Sequence, residues 1–228
     1  MILRAFRDTL GQLREPEFRR LGLIALALTL ALLVAAYAAF LIFLASIGDG
    51  DVAFAGKGLA DLLGLRSILV MLMMSFLLMV PVAAAFAALF LGDVAAAVEA
   101  RDFAWLPPAG PPALPGGRLR HTVNFIGLLI VANALTGMAL AFLGPMAIAL
   151  WFLANGGLLG REYFTLAAAR RFPPETVARL RDASVSRIWL AGLAMAVPLA
   201  VPVVNLAIPF LAAATFTRLM HRSAAEGL

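Results

Sequence analysis

The residues able to do chemistry in this chain are few, and most are basic. Cysteine is absent, and the two histidines, His121 and His221, each sit beside an arginine. Without cysteine there is no disulfide framework and no thiolate metal site, and no His/Asp/Glu group has metal-ligand spacing. There is no GxxxxGK phosphate loop and no nucleophile elbow. No catalytic residue, metal or cofactor is therefore expected, and enzyme chemistry is disfavoured. What remains is anion handling. A dianion is best held by arginine forks and by free N–H groups at a helix N-terminus, where the dipole adds about half a positive charge. The stretch PEFRR, residues 16–20, puts a helix start beside Phe18, Arg19 and Arg20. Anchoring of a membrane edge by positive charge is the competing reading. Glu99 with Arg101, and Arg161 with Glu162, form a second set: ionisable pairs at a membrane edge are functional candidates, although many only satisfy each other.

The elements that must position these residues are apolar. Of the 228 residues 63% are hydrophobic, and the mean hydropathy is +0.97. Four uncharged runs stand out, at 21–48, 67–92, 122–160 and 188–217. A spanning helix needs roughly 20 apolar residues, so the chain reads as a polytopic membrane protein with one membrane domain over residues 1–228. The first run is too long for a signal-peptide core of roughly 7–15 residues and reads as a retained anchor. The net charge of +5 is carried almost wholly by arginine, and it points to cytoplasmic loops and anionic lipid rather than nucleic acid. Richness in Ala, Leu and Arg suggests a bacterial source, and thus the inner membrane.

Arginine also sets the topology. The segments before the first run, between the second and third, between the third and fourth, and after the fourth hold 16 of the 18 basic residues. Residues 49–66 hold Lys57 and Arg66 against Asp49, Asp51 and Asp61, and read as external. Basic segments face the cytoplasm. The first two runs then cross out and back, while the last two start and end on the same side and must turn within the membrane. The third has Gly144 and Pro145 past its middle. The fourth carries Pro198, Pro202, Asn205 and Pro209. Proline in a helix interior costs about 3 kcal/mol, but is tolerated at a turn. Pro198, Pro202 and Asn205 are therefore assigned to a hairpin tip, with a single kinked spanning helix as the alternative.

The expected fold class is all-α: two long spanning helices, two re-entrant (half-penetrating) helical hairpins and an N-terminal amphipathic helix. The divisions are an interfacial helix at 1–15, with Ile2, Leu3, Phe6, Leu10 and Leu13 as its apolar face; spans at 16–48 and 67–101, the second with a cytoplasmic extension; hairpins at 122–160 and 188–220; and cytoplasmic helices at 161–187, one starting at Pro173-Pro174-Glu175. Residues 106–117, rich in Pro and Gly, read as a polyproline-type connector. Asn155-Gly156-Gly157 and Gly160 suggest a flexible helix end or close helix packing.

Several of these stretches together resemble a known family. REPEFRR leads into a long apolar span, a second helix ends in VAAAVEAR, and NGGLLGREYFTLAAARR is followed by VPVVNLAIPFLAAATFTRLMHR. The pattern is similar to the CysZ-type sulfate permease family, with its related bacterial and eukaryotic endoplasmic-reticulum branch. The resemblance implies an inner-membrane permease for sulfate or a similar oxyanion, two spanning helices and two half-penetrating hairpins, both termini in the cytoplasm, homo-oligomers built from dimers, and a link to cysteine synthesis. It places the anion at a glycine–apolar–arginine motif, matched here by Glu17, Phe18 and Arg19 with Arg20 following. Glutamate at the glycine position removes a close-approach residue and adds negative charge. The family's glutamate–arginine network maps to Glu99 and Arg101. A non-transporting membrane assembly protein of the same fold is the alternative.

Overall fold

The computed structural model describes residues 2–47, 65–107, 109, 117–199, 201 and 204–227. Residues 48–64, most of the segment expected to be external, most of the Pro/Gly connector, and Pro202 lie outside the described residues. Those that are described form eight α-helices and one 3₁₀ turn, with no strand among them. These are α1 (Ile2–Gln12), α2 (Pro16–Ile47), α3 (Leu65–Asp102), α4 (Gly117–Leu143), α5 (Met146–Ala168), α6 (Pro174–Ala183), α7 (Val185–Leu199), a 3₁₀ turn (Val204–Leu206) and α8 (Ile208–Gly227).

Local chemistry explains the boundaries. Pro16 and Pro174 open α2 and α6, where a missing N–H is harmless and φ is already helical. Helix α3 continues past the uncharged run through Glu99 to Asp102. Among the described residues one stretch, Pro16–Ala35, is long and apolar enough to cross a membrane by length and composition; Val123–Thr136 and Val185–Pro198 are shorter apolar stretches. Leu23, Ile24, Leu30 and Val34 of α2, and Val123, Ile130, Leu135 and Phe142 of α4, remain exposed.

Both of the last two uncharged runs fold back on themselves. Between α4 and α5 the chain turns at Gly144, whose φ of +53° favours glycine, and at Pro145. Asn133 then faces Trp151 and Asn155 across the turn. Trp151 Nε1 donates to Asn133 Oδ1 at 2.6 Å, and Asn133 Nδ2 donates to Asn155 Oδ1 at 2.9 Å. The sequence positions of these partners lie on opposite sides of Gly144, so the two helices are antiparallel. In the fourth run, Pro198 falls one residue before the end of α7 and Pro209 at the second position of α8. The α-helix is interrupted between them, and the backbone of Asn205 lies in the 3₁₀ turn. Arg187 at the start of α7 then pairs with Glu226 at the end of α8, Nη1 to Oε2 at 2.6 Å. Pro209 sits in the first turn of α8, where its missing N–H costs little, and Pro198 sits in the last turn of α7, just before the helix breaks, so neither lies in the middle of one kinked helix.

The core forms where α3, α5 and α8 meet. Phe86, Leu91 and Val94 of α3 lie with Phe164 of α5 and with Phe216 and Leu219 of α8, all inaccessible or nearly so. Tyr163 donates to the Ala83 carbonyl at 2.9 Å, which satisfies its hydroxyl inside this core. Helices α5 and α7 approach through Gly156, Gly160 and Gly192. The glycines of residues 156–160 therefore serve close helix packing and lie inside α5.

Helix α1 is amphipathic as expected, but the side it buries in the fold is not the apolar one. Its fully buried positions are Ala5, Thr9 and Gln12, while Leu10 is exposed; Phe6 and Leu13 are half-buried against the core. Small and polar residues at four- and three-residue steps dock on α8, because hydrogen bonds to that helix decide which side turns inward.

Candidate anion and ion-pair sites

At the start of α2, Phe18 is buried and packs on Phe210 of α8, ring centroids 4.9 Å apart. This fixes the rotation of the helix and turns Glu17, Arg19 and Arg20 outward, all three exposed. Glu17 and Arg20 are three residues apart and share a face. No ion pair joins Arg19 or Arg20 within the described residues. The Arg19 backbone N–H donates to the Glu15 carbonyl at 2.9 Å, so the free helix-start amides are those of Glu17 and Phe18.

Glu99 is the centre of a second cluster. Arg171 grips it as a fork, Nε to Oε1 at 3.0 Å and Nη2 to Oε2 at 2.8 Å, and its Nη1 donates to the Pro107 carbonyl at 2.8 Å. Arg170 Nη2 reaches Oε2 at 3.4 Å, and His221 Nε2 lies 3.0 Å from Oε1. Phe103 stacks on the His221 ring at 4.2 Å. Burial alone would raise the Glu99 carboxyl, but the hydrogen bonds from His221 and Arg171 and the charges of Arg170 and Arg171 outweigh it and hold the carboxyl at about 2. Arg101 takes no part here. Its Nε pairs with Glu15 at 3.0 Å and lies 3.5 Å from Asp102.

A third cluster surrounds Arg218, which is wholly buried. Its Nε donates to Asp102 Oδ2 at 2.6 Å, Nη1 to Thr9 Oγ1 at 2.8 Å, and Nη2 to Gln12 Oε1. Arg222 adds a bond to Asp8 at 2.6 Å. Helices α1, α3 and α8 are thereby locked together. Arg161 and Glu162 stand apart from all of this. They line a cavity of about 200 Å³ with Asn124, Thr165 and Arg181. Glu162 is buried, and burial lifts its carboxyl to about 7 against the opposing pull of Arg161.

The structure thus brings Glu99 to Arg170, Arg171 and His221, and Arg101 to Glu15. Sequence reasoning missed Thr9, Gln12, Asp102, Arg170, Arg171, Arg218 and His221 as a connected set. A signal existed in α8, where Thr215, Arg218 and then His221 and Arg222 follow at three- and four-residue steps. That spacing puts them along one helix face.

The four basic segments are also drawn to one end. Asp8 and Glu15, Glu99 to Asp102, Arg170 to Arg187, and Arg218 to Glu226 are joined by the ion pairs above. No curated protein and no solved structure is similar enough to match the chain. A family description, "Sulfate transporter CysZ/Etoposide-induced protein 2.4", matches residues 4–209. With nearly the whole chain covered, and an all-helical structure whose basic segments gather at one end, the chain belongs to the sulfate transporter CysZ/etoposide-induced protein 2.4 family.

Proposed function

We propose that this chain is an inner-membrane permease for sulfate or a similar oxyanion that feeds sulfate assimilation. The observation that carries the reading is the start of α2, where Arg19 and Arg20 stand exposed and without an ion pair among the described residues at the N-terminus of the longest apolar stretch. An oxyanion arriving there meets two guanidiniums and the free amides of Glu17 and Phe18. In this reading α2 and α3 span the bilayer, the α4–α5 and α7–α8 hairpins enter it part-way, and both termini lie in the cytoplasm. The uncovered apolar side chains of α2 and α4 face lipid or a second copy, since soluble monomers rarely expose such patches. Protomers assemble as oligomers built from dimers, and the hairpin tips at Gly144, Pro145, Pro198, Pro202 and Asn205 line a wet path or pack on a neighbour, because bare turns are not tolerated in lipid. The ion pairs around Glu99 and Arg101 hold the cytoplasmic end in place.

The test is uptake of radiolabelled sulfate into proteoliposomes. Wild-type protein is expected to carry sulfate down its gradient, and Arg19→Ala with Arg20→Ala to abolish most of that flux. Undiminished flux in the double variant removes the α2 site; folded protein that carries no oxyanion removes the permease reading. One feature supports a second reading, a membrane assembly protein without transport. Glu17 stands where the resemblance expects glycine, and it shares a helix face with Arg20. The family name itself pairs a transporter with a protein not named for transport. Restoration of sulfate flux, or a gain in it, on Glu17→Gly would count for transport; intact oligomers with no flux and an envelope defect on deletion would count for assembly.

A further inference from the structure

A cavity of about 720 Å³ opens between the segment after α3, the α5–α6 turn and the end of α8. It shares no residue with the start of α2 or with the Glu162 cavity. Its lining carries Arg170, Arg171 and His221, and no carboxylate among the described residues. Glu99 lies behind that lining and offsets only one of the two guanidiniums. Arg170 is the less satisfied of them. Its bond to Glu99 is 3.4 Å long, and its buried Nε has no hydrogen-bond partner among the described residues. The lining is also aromatic. Phe103 stacks on His221, Trp105 meets Phe103 edge-on at 5.6 Å, and the Trp105 ring is 76% exposed.

Size and position narrow the ligand. A bare oxyanion leaves most of 720 Å³ empty, whereas sites for organic ligands run to about 300–1,000 Å³. Helices α3 and α8 extend well past their uncharged runs to reach the cavity, ending at Asp102 and Gly227. At 1.5 Å per residue the lining lies from about 6 Å beyond those runs at His221 to about 16 Å at Phe103. The interfacial layer on each side of a bilayer is only about 5–7 Å deep, so all but the inner edge of the cavity, at His221, belongs in water beyond the lipid headgroups.

We propose that this cavity binds a soluble organic anion, with a flat aromatic body against Trp105 and Phe103 and a phosphate, sulfate ester or carboxylate against Arg170 and Arg171. The site is separate from the one proposed for transport. The test uses the full chain in nanodiscs, titrated calorimetrically with 2-naphthyl phosphate and adenosine 5′-monophosphate, with inorganic phosphate and sulfate as controls that lack the aromatic body. Saturable binding of an aromatic phosphate is expected, about tenfold or more tighter than inorganic phosphate, from the stacking contribution. Trp105→Ala touches none of the Glu99 ion pairs and should weaken the aromatic probes about fivefold or more while leaving inorganic phosphate unchanged. Arg170→Gln should weaken both kinds of probe. Absence of saturable binding by both aromatic probes, or equal binding by wild type and Trp105→Ala, overturns the proposal. So does loss of probe binding when phosphatidylglycerol replaces zwitterionic lipid in the nanodiscs, because the occupant is then a lipid headgroup. Sulfate uptake by the same Trp105→Ala protein, expected to match wild type, separates failure here from failure of the permease reading.

Discussion

Gly192→Ala tests how α5 and α7 meet. A Cβ on Gly192 would overlap the Gly156 carbonyl oxygen, stand 2.9 Å from the carbonyl carbon and 3.1 Å from Gly160 Cα. Every obstacle is backbone of the opposing helix, so no rotamer change relieves the clash and the helices must part. A gap of about 0.5–1 Å already forfeits a quarter to a half of each dispersion contact. The affected face includes the buried Leu159, Ile188, Ala191 and Met195. Overpacking costs about 1–3 kcal/mol, and a rigid obstacle places this substitution near the upper end, about 3 kcal/mol. For a domain of this size each kcal/mol moves the midpoint by about 2–4 °C, so Tm should fall by about 6–12 °C. Thermal unfolding of purified protein in detergent, followed by circular dichroism, reads the shift. Two companions calibrate it. Gly157→Ala meets the Trp189 ring at 2.7 Å, but that ring is 46% exposed and can swing away, so a smaller loss of about 1 kcal/mol is expected. Gly127→Ala in α4 has nothing within 4 Å, and should gain up to about 1 kcal/mol from helix propensity. Unfolding of Gly192→Ala at the wild-type temperature, or at that of Gly127→Ala, would refute the close crossing.

Arg218→Ala leaves Asp102 without its buried partner and should cost about 3–5 kcal/mol. Because the chain lacks cysteine, a single Ala5→Cys on the buried face of α1 reports on docking: maleimide should label it only when Arg218→Ala is added, and continued shielding would show that Arg218 does not hold α1. Stability should also depend on pH in two windows. Glu162, raised from 4.5 to about 7, contributes fully below pH ~4.5 and loses about 3 kcal/mol as pH rises through 7. Glu99, lowered from 4.5 to about 2, contributes a similar ~3 kcal/mol above pH ~4.5 that is lost as pH falls toward 2. Glu162→Gln should flatten the decline between pH 5 and 7, and an unchanged slope in that variant would contradict the assignment.

What the sequence made legible was local or cumulative. Pro16 and Pro174 mark helix starts by their own geometry, and Gly144-Pro145 marks a turn. The arginine distribution required the third and fourth uncharged runs to double back, and the Asn133–Asn155 and Arg187–Glu226 contacts show both doing so along the chain. The buried face of α1 was not legible, because Thr9 and Gln12 turn inward toward partners on α8, Thr215 and Arg218, more than 200 residues away. Nor was the choice of partner for Glu99. Spacing favoured its near neighbour Arg101, two residues on. Residues two apart do not face each other on a helix, and the fork comes from Arg171 across the fold.

The docking of α1 on α8 carries a consequence for biosynthesis. Thr9 and Thr215, which touch at 3.2 Å, are separated by 206 residues. At a translation rate of up to about 20 residues per second, α1 has left the ribosome roughly ten seconds before the surface it binds has been made. Throughout that interval Ala5, Thr9 and Gln12, all buried in the finished fold, lack the surface on which they dock. Final closure of the protein thus waits for its last helix, when the buried side of the first turns onto a surface made at the other end of the chain.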